Sequence, residues 1–134
     1  MKKQKMLTKI LAPVLAITGC SENPCPPISL DNYTPSQELV RKTEDALTPV
    51  YAGASRDYSA LHVLFEERNQ DPQATIYILQ SAKQRADNNF TRIVGIAHYR
   101  NSDECLRQNI CDELGEENDL YQDCLNGNLN PFEF

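Results

Sequence analysis

The cysteines constrain this chain most. There are five, at positions 20, 25, 105, 111 and 124 of 134 residues. Disulfides within one chain consume cysteines in pairs, so an odd count leaves one with a separate fate. Two lie close to the N-terminus, three fall at or after position 105, and none lies between. Any bond between the two groups closes a loop around most of the chain. The length suits one domain, and there is no repeat of solenoid length.

The N-terminus supplies the separate fate. "MKKQKMLTK" holds Lys2, Lys3, Lys5 and Lys9 and no acid, and "ILAPVLAI" follows as a short apolar run. A spanning helix needs about 20 apolar residues. This run is far shorter and contains Pro13, so it reads as an export signal rather than a membrane span. It ends Ile17-Thr18-Gly19-Cys20. That ending, behind a basic start and a short apolar run, resembles the lipobox of bacterial lipoproteins. The resemblance covers the first twenty residues, and no family is recognised in residues 21–134. It implies that residues 1–19 are cut away and that Cys20 is lipidated on its sulfur and then on its new amino group. Two or three fatty (palmitate-type) chains, at ~0.8 kcal/mol per buried methylene, anchor a protein stably. Ser21 fits delivery to the outer membrane, with the domain facing the periplasm.

Cys25, Cys105, Cys111 and Cys124 then make an even set in an oxidising compartment, so two disulfides are expected. The spacing C-x5-C-x12-C lacks the C-x2-C knuckles of structural zinc, and His62 and His98 are distant in sequence. No metal and no cofactor are expected. "DECLRQNICDEL" reads as a helix, which sets Cys105 and Cys111 about 9 Å apart along the axis and roughly 120° apart around it. A disulfide rarely joins Cα atoms more than ~7 Å apart, so these two do not pair. "GEEN" (115–118) reads as a turn and "NDLYQDCL" as a second short helix. A hairpin centred near Leu114–Gly115 favours Cys105–Cys124 with Cys25–Cys111. Cys111–Cys124 with Cys25–Cys105 is the alternative.

The rest reads as helices. "SENPCPPISLDNY" is a linker by composition, so residues 20–33 are expected to tether a helical domain spanning 34–134. Thr34-Pro35-Ser36-Gln37 carries the signature of a capping box with a first-turn proline. Leu39, Val40, Thr43, Ala46, Leu47 and Val50 follow at helical spacing, with a stop or kink expected near Pro49. Ser55 suits a second N-cap, ahead of Tyr58, Leu61, Leu64 and Phe65. Asp71-Pro72 is a strong third start, with Ala74, Ile78, Ala82 and Ala86 recurring every four residues. "FTRIVGIAHYR" (90–100) fits a helix or a strand, and helices on both sides favour helix. The expected fold is mainly α: a small bundle of about four to six short helices stapled by two disulfides. The staples matter because about a hundred ordered residues make a limited core.

Charge narrows the partners. Beyond residue 19 the chain holds nine basic and nineteen acidic residues. From Asp103 onward nine acids face one base, Arg107. Such a surface repels nucleic acid phosphates and anionic lipid heads alike. No nucleophile elbow, phosphate-binding glycine loop, H-E-x-x-H or D-x-D pattern occurs. His62 and Glu66 stand at i, i+4, a spacing that can orient a general base but more often makes an ordinary surface bond. His98 reads as a core or boundary histidine. "DELGEENDLYQD" has the acid density of a calcium loop, but its third position is Leu114 and its sixth is Glu117, which excludes an EF-hand. No catalytic residue is expected.

The remaining candidates are contact residues: Asp112, Glu113, Glu116, Glu117, Asp119 and Asp123 on the acidic segment, with Phe132 and Phe134 in the final "NPFEF". That tail resembles the recognition end of outer-membrane barrel strands, though no run of alternating strands precedes it. The two rings are expected to pack back on the bundle. These features point to a lipid-anchored, noncatalytic binding or assembly module with an envelope protein partner, similar to small accessory lipoproteins of secretion and conjugation machines. The alternative is an inhibitor or immunity lipoprotein that blocks a basic envelope or secreted enzyme.

Overall fold

In the computed structural model the described residues are 25–51, 57–85, 89–101 and 103–129. They form six helices and no strand: α1 (Gln37–Tyr51), α2 (Ser59–Glu67), α3 (Pro72–Lys83), α4 (Phe90–Tyr99), α5 (Glu104–Asp112) and α6 (Tyr121–Leu125). The protein is an all-helical bundle stapled by two disulfides. None of these helices is long and apolar enough to cross a membrane.

The helix starts follow local chemistry. Asp71 accepts from the Ala74 amide at 3.2 Å with Pro72 at the first position of α3, as expected. Asp103 caps α5 in the same way, accepting from the Leu106 amide at 3.0 Å. α1 differs from expectation. It opens at Gln37, and the cap is the Ser36 hydroxyl, which accepts from the Leu39 amide at 3.1 Å. Thr34 lies two residues too early for this role. α1 ends at Tyr51, two residues past Pro49, so its stop falls near the proline as expected. Pro49 falls in the last turn, where few hydrogen bonds are forfeited, and Val50 beside it is fully buried. The expected cap Ser55 lies outside the described residues.

α4 is the centre. Ile93, Val94 and Ile96 are fully buried, and Phe90, Gly95, Ala97 and His98 are buried as well. A helix apolar around so much of its surface must be enclosed, and α2, α3 and α5 all pack on it. That enclosure settles "FTRIVGIAHYR" as helix. α1 lies on α2 and α3, and α6 lies on α5. Asn89 Nδ2 donates to the Val50 carbonyl at 3.3 Å, joining the start of α4 to the end of α1.

The preferred disulfide pairing is corrected. The bonds are Cys25–Cys105 and Cys111–Cys124, with Cα separations of 5.0 and 5.7 Å. The reason is the register of the hairpin. α5 ends at Asp112 and α6 starts only at Tyr121, so the connection is centred near Glu117, not Leu114–Gly115. The last turn of α5 therefore faces α6. Cys105, on the first turn, is left for the N-terminal segment.

Residues 25–33, expected as linker, are docked on the bundle. Buried Asn109 holds them: its Oδ1 accepts from the Ile28 amide at 3.0 Å, and its Nδ2 donates to the carbonyls of Pro26 at 3.3 Å and Cys105 at 3.0 Å. Ile28, Leu30 and Tyr33 pack against the core. Residues 1–24, which include the signal segment and Cys20, lie outside the described residues.

Candidate functional site

The acidic segment folds as a braced hairpin. α6 has five residues, far below the ~12–15 an isolated helix needs for marginal stability. Its position comes from tertiary ties. Cys124 is bonded to Cys111, and the Tyr121 hydroxyl donates to Asp112 Oδ1 at 2.7 Å. That bond, with burial second, pushes the Tyr121 hydroxyl up to about 12. The connection turns at Gly115, whose φ of 90° suits glycine. The Asn118 side chain accepts from the Leu120 amide at 2.8 Å.

The expected contact carboxylates divide into two groups. Asp112 holds Tyr121, and Glu113 turns inward to Lys83 at 4.0 Å and Gln80 at 3.5 Å. Glu116, Glu117, Asp119 and Asp123 are exposed. No cation among the described residues pairs with these four. Phe132 and Phe134 lie outside the described residues.

His62 and Glu66 are brought together by a third residue. Arg100, from the end of α4, donates through Nε to His62 Nδ1 at 3.3 Å and pairs with Glu66 at 3.7 Å. Burial lowers the His62 pKa, and the Arg100 and Arg92 charges add to the effect. A neutral imidazole accepting from an arginine is a structural bond joining α2 to α4.

His98 is placed less ordinarily. It is 8% exposed, and among the described residues its ring has no hydrogen-bond partner. The sulfurs of Cys111 and Cys124 stand beside it, and the ligand atoms of the three groups lie within 4.8 Å of one another. Burial pushes its pKa down, and the Arg107 guanidinium lowers it further. A cavity of about 310 Å³ opens beside it, lined also by Glu104, Arg107, Gln108 and Leu125. The sequence pattern missed this grouping because three separate helices bring it together. The one signal was that His98 continues the apolar stripe of Val94, and so had to be buried.

A second concavity, of about 330 Å³, lies between α1 and α2. Val63, 54% exposed, stands at its edge among Lys42, Asp45 and Glu67. Neither concavity holds a nucleophile with an adjacent base. No family model, curated protein or solved structure matches this chain.

Proposed function

We propose that this protein is a lipid-anchored bacterial envelope protein whose small helical domain is a noncatalytic binding or assembly module. Cys20 carries the acyl chains, and the domain faces the periplasm from the outer membrane. Its acidic end docks a basic surface on an envelope protein. The observation that supports this most is the set of four exposed carboxylates, Glu116, Glu117, Asp119 and Asp123, which pair with no cation among the described residues. They stand on a hairpin braced by a disulfide and a tyrosine–carboxylate bond. A preorganised patch of one sign speeds encounter with an oppositely charged surface and rejects like-charged ones.

Crosslinking in intact cells followed by purification of the adducts tests the reading. A defined envelope protein should be captured by the wild type and lost when Glu116, Glu117, Asp119 and Asp123 are changed together to Lys. Capture unaffected by that reversal would reject the acidic end as the docking surface. Salt separates assembly from inhibition. An assembly contact steered by charge associates more slowly in high salt but stays bound through its buried surface, whereas an inhibitor held by charge weakens sharply between low and physiological salt. The anchor has its own test: Cys20→Ala should abolish acylation and release the protein from membranes.

A further inference from the structure

The group formed by His98, Cys111 and Cys124 has a use that the disulfide alone leaves idle. We propose that these three residues form a zinc site that replaces the Cys111–Cys124 disulfide when that bond is reduced. The ligand set is two thiolates and one imidazole, the donor types zinc takes in structural sites. The three come from α4, α5 and α6, so one ion would pin the two helices that the disulfide now pins and tie α4 to them. Both sulfurs are fully buried and the imidazole nearly so, as structural metal ligands are.

The distances allow the exchange with small movements. Zinc–sulfur bonds of about 2.3 Å at a tetrahedral angle set the two sulfurs roughly 3.8 Å apart. The sulfurs must separate to that distance, and the imidazole, already within 4.8 Å of both, must approach by about 1 Å to meet the zinc–nitrogen distance. The charge also suits burial. One Zn2+ with two thiolates and a neutral imidazole is neutral overall, and such a centre tolerates the nearby Arg107. Among the described residues the His98 ring has no hydrogen-bond partner to give up. The fourth position would be open toward the cavity that His98 lines.

The chemistry balances. A dithiol reductant gives two electrons and two protons to the Cys111–Cys124 bond, which breaks to two thiols while the reductant closes to its own disulfide. Zn2+ then displaces both thiol protons to solvent as two zinc–sulfur bonds form. His98 adds a nitrogen lone pair. The proposal rests neither on the anchor nor on the acidic end being a docking surface.

The test uses the full chain with Cys20, Cys25 and Cys105 changed to Ser, so that only Cys111 and Cys124 carry thiols. Under anaerobic reduction the chain should bind one Co2+, giving the visible bands of tetrahedral cobalt and a sulfur-to-cobalt charge-transfer band, both erased by Zn2+. His98→Asn should weaken Zn2+ binding more than tenfold, and Cys111→Ser should abolish the charge-transfer band of the two-thiolate site. If reduction alone unfolds the chain, Zn2+ should restore its helical circular dichroism. A reduced, helical chain that takes up no Co2+, an unfolded one that Zn2+ does not refold, or a His98→Asn variant of unchanged affinity would each overturn the proposal.

Discussion

The two ends of this molecule hold themselves together by different means. Between residues 34 and 102 the chain has eight basic and eight acidic residues. There the charges close on one another: Arg68 with Glu38, Lys42 with Glu67, Arg85 with Glu44, Arg41 with Asp45. From Asp103 onward nine acids meet one base, and the structure is held by two disulfides, an asparagine clamp and a tyrosine–carboxylate bond. The balanced half relies on apolar packing, with ion pairs as trim. The acidic half must hold like charges close together, and covalent bonds do so without neutralising the surface. A face meant to stay charged is better braced by sulfur than by lysine.

Breaking the braces should give the largest effects. Cys25–Cys105 spans a sequence separation of 80 and Cys111–Cys124 one of 13. On the loop-entropy account these are worth about 4–5 and about 3 kcal/mol respectively. Replacing Cys25 and Cys105 by Ser should therefore shift the denaturation midpoint further than replacing Cys111 and Cys124. Hydrogen exchange would localise the loss. Amides of α5 and residues 25–33 should open first while α1 and α2 stay protected. Equal loosening across the bundle would show that the two halves are not separately held.

Cutting into the balanced half should cost nearly as much through packing alone. Phe65 is 1% exposed within the core, and Phe65→Ala should cost about 3–5 kcal/mol by chemical denaturation. Asn109→Ala comes next. It orphans the Ile28 amide, which is half-buried, and an unsatisfied buried group costs about 1–3 kcal/mol, while the exposed Pro26 carbonyl can turn to water. Its signature is local: residues 25–33 should become protease-sensitive while Phe65 remains buried.

How much of this was legible in the sequence follows the same division. α3 was readable because Asp71, Pro72 and the four-residue alanine repeat are local signals. The helical class and the existence of two disulfides were readable as well, from periodicity and from cysteine parity. The pairing was not, because it depends on where an eight-residue connection is centred, and Gly115 marks only its start. Local reading also missed the Asn109 clamp and the grouping of His98 with Cys111 and Cys124, which join positions 81 and 13 or more residues apart. An asparagine inside an acidic helix carries no sign of the backbone it will bind.

Acid should loosen the molecule before any carboxylate titrates. His98 and His62 both have folded pKa values below the ordinary value, by burial first. The unfolded chain then binds more protons near pH 6.5, so stability is full above that value and falls as pH drops through it. Thermal unfolding between pH 7.5 and 5.5 should show a declining midpoint. His98→Gln should flatten the decline more than His62→Gln, since His98 is the more buried of the two. An equal slope in all three proteins would remove buried histidine as the cause.

The smallest effects discriminate best, because the two halves should answer with opposite signs. Arg41 and Asp45 form an exposed i, i+4 pair, and removing it by Asp45→Asn should cost no more than about 0.5 kcal/mol. Glu116 and Glu117 sit among acids and pair with no cation among the described residues. Changing both to Gln relieves repulsion and should stabilise the fold by a few tenths of a kcal/mol. Both shifts should fade in high salt, since both groups face solvent. If the Gln substitutions raise stability while weakening capture of the partner, the acidic end is retained at a cost to the fold, as a docking surface would be. If they raise stability and leave capture intact, the charge serves something other than docking.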